Sequence, residues 1–191
     1  MGGAAQADTR QPRMGIFTKP GAEIDLSSEF VDSRGKRGEL RSKLLPTKPF
    51  ILVPIFYRCP RLCGLTVSGV IELVNRLPLT LGQDYSVIFY SFNPEDTVED
   101  AAQKREKMVG RISSKLHSDN GVTFLIADAD TIKRVNDQLG FRVRFAEKEL
   151  EHSSAIFVVT PGGEVRRYFA GVEFNPELVA KALMPLARPT T

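Results

Sequence analysis

Eight residues in a row, Phe50–Ile51–Leu52–Val53–Pro54–Ile55–Phe56–Tyr57, carry no charged side chain. A run of that length, rich in β-branched and aromatic residues, suits a strand covered on both faces. It falls far short of the roughly 18 apolar residues that a membrane span requires. Pro54 has no N–H to donate, which predicts a bulge or a lightly paired position within this strand. Comparable runs follow at Ser86–Phe92, Val122–Ala127 and Ser154–Val159. Strands buried on both faces need helices to cover them, and those helices must lie between the runs.

The helical patterns are there. Leu62, Leu65, Val70, Leu73, Val74 and Leu77 fall on one helical face, and Pro78 stops the helix. After Asn93–Pro94–Glu95–Asp96, Thr97-x-x-Asp100 has the chemistry of a helix cap, so a second helix is expected over about 98–116. Asp128–Ala129–Asp130 opens a third, about 130–139, which ends at Gly140. A last helix is expected over about 176–187. Pro161–Gly162–Gly163 joins Ser154–Val159 to Val165–Phe169 as a hairpin. Asp32–Ser33–Arg34–Gly35–Lys36 is a turn after Glu29–Phe30–Val31. With Ala22–Leu26 it predicts a small N-terminal hairpin.

The resulting order is β-α-β-α-β-α-β-β-α. It predicts an α/β fold with thioredoxin-like topology: a central mixed sheet, helices on both faces and an N-terminal β-hairpin extension. Residues 1–15 lack periodicity and are expected to form a flexible tail, with 16–191 a single domain.

Basic residues number 26 and acidic residues 23, spread along the chain without a block, so a phosphate-tracking surface for nucleic acid is not expected. Met1–Gly2–Gly3–Ala4–Ala5 has neither a basic region nor an apolar core and is not a signal peptide. A leader or anchor upstream of this start is compatible with it.

The chain has two cysteines, both inside Cys59–Pro60–Arg61–Leu62–Cys63, where the first core strand meets the first helix. A pair this close closes no long loop, so it makes a poor structural staple. A rise of about 1.5 Å per residue puts Cys59 and Cys63 about 6 Å apart on the same face of a first helical turn. There the helix start is expected to lower the pKa of at least one thiol, with Pro60 supplying the φ of the first helical position.

Two thiolates facing one point suit a soft metal. Iron–sulfur clusters want four ligands, attached haem wants Cys-x-x-Cys-His, and structural zinc wants four protein ligands. The chain offers two cysteines and two histidines. His117 lies in a polar stretch at the end of the second helix and is expected on the surface. His152 immediately precedes the hairpin strand, on a loop that in a thioredoxin-like sheet faces the first helix start. A trigonal site of Cys59, Cys63 and His152 fits Cu(I), and one further weak ligand would accommodate Cu(II).

In these residues the chain resembles the Sco/SenC copper proteins, from about Gly21 to the last helix. The likeness rests on Cys59-Pro60-x-x-Cys63 after an apolar strand, on Asn93–Pro94–Glu95–Asp96–Thr97 after the next, and on His152–Ser153 before the Pro161–Gly162–Gly163 hairpin. It implies a thioredoxin-fold protein in the periplasm or otherwise outside the cytoplasm, membrane-tethered in its native form. Cys59 and Cys63 match the family's thiolate ligands and His152 its imidazole ligand. The implied role is a copper metallochaperone that delivers copper to the dinuclear copper site of cytochrome c oxidase, or prepares that site's thiols. The implied client is that oxidase subunit or another cuproprotein, and the partner upstream is a copper donor or a thiol reductant. Two departures stand out. Asn93 occupies a position where the family usually has aspartate, and Tyr57–Arg58 precede Cys59 where many relatives have smaller or differently charged residues.

The alternative is a dedicated extracytoplasmic thiol–disulfide oxidoreductase with no metal, for which Cys59 and Cys63 are the redox pair. The Cys-x-x-x-Cys spacing is one residue longer than the thioredoxin motif, and His152–Ser153–Ser154–Ala155 lacks the proline that faces the thiols in such enzymes. A thioredoxin-like peroxidase would need an activated cysteine with an ordered Thr or Arg around it, a pattern Arg58 and Arg61 do not make. A plain binding module would tolerate loss of both cysteines.

Overall fold

The protein is described by a computed structural model over residues 15–59, 62–113, 121–145 and 150–188. Pro60, Arg61 and His117 lie outside the described residues, as do residues 1–14 of the expected tail. In chain order the elements are β1 (Gly15–Ile16), β2 (Glu29–Asp32), β3 (Arg37–Glu39), β4 (Phe50–Ile55), α1 (Leu62–Arg76), β5 (Ser86–Ser91) and α2 (Val98–Val109). They continue as β6 (Val122–Ile126), α3 (Ala129–Leu139), β7 (Phe141–Arg142), β8 (Arg144–Phe145), β9 (Leu150–Glu151), β10 (Ala155–Val159), β11 (Val165–Ala170) and α4 (Pro176–Ala187).

The central sheet has seven strands in the order β11-β10-β4-β5-β6-β2-β3. β4, β5 and β6 are parallel; β10, β11, β2 and β3 join antiparallel. Side chains alternate across a strand, and here each alternate set has its own helical cover. Ile51, Val53, Ile55, Val87, Phe89, Phe124, Ile156 and Val158 share a core with residues of α1, α2 and α4. Phe50, Leu52, Ile88, Tyr90, Leu125, Phe157 and Val159 share the other with Ile132, Val135 and Leu139 of α3. The fold is the thioredoxin-like α/β class that the sequence pattern predicts.

Pro54 sits in the middle of this sheet without wasting a hydrogen bond. The carbonyls of Pro49 and Ile55 accept from Ser86 and Phe92, so odd-numbered residues of β4 face β5 and Pro54 faces β10. Pairing with β10 ends at Leu52, so no partner waits for the missing N–H. The N-terminal hairpin β2–β3 is the edge of the same sheet, because Val31 and Asp32 pair with Ile126 and Leu125 of β6. The Ala22–Leu26 segment is not part of that hairpin, contrary to expectation. Glu23 bridges Glu164, and Ile24 N–H donates to the Gly163 carbonyl at 2.9 Å, so it lines the turn of the late hairpin. Gly15, assigned to the tail, is already paired with Arg142.

Helix ends follow the expected chemistry. Thr97 and Asp100 cap each other's backbone N–H groups at the start of α2. α2 ends at Val109, ahead of Gly110 and short of the expected end, and residues 114–116 are outside the described set. Asp128 caps α3, and Gly140 ends it in the left-handed region at φ 67°. A Cβ at Gly140 would also meet the Phe17 carbonyl oxygen at 2.3 Å. Among the described residues no helix is long and apolar enough to cross a membrane.

Candidate metal centre

The site lies where β4 runs out and α1 begins, at the carboxyl end of the parallel strands, where open α/β sheets hold ligands. Cys63 is the second described residue of α1, and Cys59 precedes the helix outside helical structure, with Pro60 and Arg61 between them outside the described residues. The approach to the helix is bound by polar contacts. Asp96, its side chain fully buried, accepts the Tyr57 N–H at 2.7 Å, the Ser91 hydroxyl at 2.6 Å and Arg58 Nε–H at 3.0 Å. The Tyr57 hydroxyl donates to the Leu125 carbonyl at 2.6 Å, and Cys59 N–H donates to the Phe56 carbonyl at 3.1 Å.

Neither cysteine is in a disulfide. Cys63 is buried, and Cys59 is half-buried against the same core. Burial pushes the Cys63 thiol up to about 12, so any lowering of a thiol by the helix start does not fall on this residue. Phe56 N–H donates to its sulfur at 3.3 Å and Lys104 acts in the same downward sense, but desolvation outweighs both. The neighbouring Cys59 sulfur adds to the rise.

His152 sits on the short segment between β9 and β10, with Nε2 3.7 Å from the Cys63 sulfur. Its Nδ1 is 3.0 Å from the Ser153 carbonyl oxygen. A carbonyl can only accept, so Nδ1 carries the proton and the Nε2 lone pair faces the thiols. Burial lowers the imidazole pKa against the opposing pull of that hydrogen bond, so the ring is neutral at pH 7. Phe92 packs against it, ring centroids 4.8 Å apart. The two sulfurs and a ring nitrogen of His152 lie within 4.8 Å of one another, and the group could hold a metal ion. Metal–sulfur and metal–nitrogen bonds of about 2.3 and 2.0 Å, diverging by a tetrahedral to trigonal angle, separate their donor atoms by about 3.5–3.8 Å. The Cys63–His152 spacing suits that geometry, and the donor set suits copper.

Asn93, the family departure, serves the turn: its Oδ1 accepts the Glu95 N–H at 3.1 Å, and its N–H donates to the Ser91 hydroxyl. The acid that organises this loop is Asp96, three residues on, which sequence reasoning did not single out. The available signal was Ser91, a hydroxyl ending a buried strand, which must find a buried partner.

A family model described as SCO1/SenC matches residues 18–188. A solved structure from Aquifex aeolicus VF5 is 27% identical, with 89% of this chain and 95% of that one covered at a TM-score of 0.76. Arabidopsis thaliana ScoI with copper bound is 17% identical over 88% of this chain and 98% of its own, at a TM-score of 0.66. A SCO1/SenC family lipoprotein from Bacillus anthracis str. Ames is 16% identical over 90% and 100%, at 0.68. At those lower identities the likeness is one of fold. No curated protein matches the chain.

Proposed function

This chain belongs to the SCO1/SenC family, and from that premise we propose that it is a copper metallochaperone working outside the cytoplasm. Cys59, Cys63 and His152 are its ligands, and copper is its cargo. The observation that carries this is the convergence of their donor atoms within 4.8 Å. Two sulfurs and a neutral imidazole form a soft three-donor set, which favours Cu(I). The Arabidopsis relative, with copper bound, supports the choice of metal.

The client in this reading is the dinuclear copper site of cytochrome c oxidase, or another cuproprotein. The Bacillus anthracis relative, a lipoprotein, supports membrane tethering. A partial shell of three donors suits transfer, because it leaves room for a client's ligand to join before this chain's ligands leave. Oxidation to a disulfide would remove both sulfur ligands, so loading in an oxidising compartment calls for a thiol reductant.

The test is Cu(I) competition with a chromogenic chelator on the reduced protein, its His152→Ala variant and the double Cys59→Ser/Cys63→Ser variant. Tight one-to-one binding that weakens in His152→Ala and is lost in the double variant is expected. Binding no tighter than that of the double variant would sink the reading and leave the dithiol as the redox pair of a thiol–disulfide oxidoreductase.

A further inference from the structure

Nothing in the ligand set itself keeps His152 beside Cys63. The two residues are 89 positions apart and sit on elements that could shift independently. One turn after Cys63, the Thr66 hydroxyl lies 3.1 Å from the Leu62 carbonyl oxygen and 2.6 Å from the Ser154 hydroxyl. Thr66 has a single hydroxyl proton, and the Leu62 oxygen can only accept. The chain of bonds therefore runs from Ser154 O–H to Thr66 Oγ1, and from Thr66 O–H to the Leu62 carbonyl. Thr66 is 1% exposed and Ser154 9%, so water competes poorly for either hydroxyl. Ser154 is held from its other side as well, its carbonyl accepting the Gly171 N–H at 2.8 Å.

We propose that Thr66 and Ser154 are positioning residues, a buried hydroxyl pair that ties α1 to the His152 segment and sets the Cys63–His152 distance for metal binding. The pair spans the same two elements as the ligands, three residues after Cys63 and two after His152. A lateral slip of either element then has to break a buried hydrogen bond as well as separate the donor atoms. Leaving a buried hydroxyl without its partner is costly, so the tie resists slip more than its net contribution to stability suggests. The metal part of this role rests on the copper reading above; the tie itself does not.

Ser154→Ala is the discriminating variant, because Thr66 keeps its bond to the Leu62 carbonyl and nothing buried is orphaned. Thr66→Val is the partner variant, and Thr66→Ser is the rescue. In the metal-free protein, amide hydrogen exchange at Gly171, whose N–H donates to the Ser154 carbonyl, should accelerate about tenfold in Ser154→Ala, with Val70–Val74 of α1 unchanged. In the reduced protein, Cu(I) affinity should fall about tenfold in Ser154→Ala and Thr66→Val, and Thr66→Ser should restore it. In a His152→Ala background neither change should weaken binding further, since the tie acts through His152. Unchanged exchange at Gly171, or equal losses with and without His152, would overturn the proposal. A wild-type protein that does not bind copper would refute the copper reading, and the exchange measurement would still decide the tie.

Discussion

Burial acts in opposite directions on the two ligands that face each other. It raises the Cys63 thiol to about 12 and lowers the His152 imidazole, so at pH 7 the sulfur holds its proton and the nitrogen has lost its own. A metal ion must displace the Cys63 proton, whereas burial lowers the His152 imidazole below the ordinary histidine value and favours its neutral form. Apparent Cu(I) affinity should therefore rise by at least about tenfold per pH unit between pH 7 and 8.5, one proton being released per ion at Cys63. Chelator competition at several pH values checks this, and a flat profile would mean that Cys63 is already a thiolate or is not a ligand. The residue types of this site were legible from the pairing of two rare cysteines and one histidine ahead of a strand. The direction of the Cys63 shift was not. A helix start is visible in sequence, whereas the desolvation that overrides it depends on every side chain packed around the sulfur.

Among the elements, α1 carries Cys63, and its seating is set by a glycine. Helix propensity alone makes alanine better than glycine by about 1 kcal/mol inside a helix. At Gly69, however, a Cβ would stand 1.8 Å from the Val172 carbonyl oxygen and 3.3 Å from the Phe174 ring. The backbone between β11 and α4 therefore approaches α1 closely at this point. Gly69→Ala should destabilise the protein by about 1–3 kcal/mol, as overpacking does, despite its better propensity. Urea denaturation measures the difference, and a stabilised variant would refute the close approach. The helix itself was readable from its apolar period and from Pro78. Which residue lets it approach its neighbour was not, because Gly69 and Gly64 read alike in a helical pattern, and a Cβ at Gly64 would meet nothing within 4 Å.

At the scale of the molecule, the N-terminal hairpin belongs to the sheet that holds the site. Phe30 is 2% exposed in the core on the α3 side and meets Tyr90 edge-on, ring centroids 6.3 Å apart. Phe30→Ala should cost about 3–5 kcal/mol, as for a core aromatic, with unfolding still one transition for every probe. A small loss, or a separate early transition in the N-terminal segment, would make the hairpin an appendage. What the sequence by itself determined was the core strands and the four helices, their order and the cysteine pair between β4 and α1. Burial of one face leaves a period of two or of about 3.6 in the residues that form it, and caps and turns are written in their immediate neighbours. Tertiary structure alone decided the attachment of β2 to β6 and the role of Asp96 under the Cys59 loop, and it gave the expected approach of His152 to Cys63 its 3.7 Å distance. These are relations between segments far apart in the chain, set by how whole faces pack, and no local pattern records them.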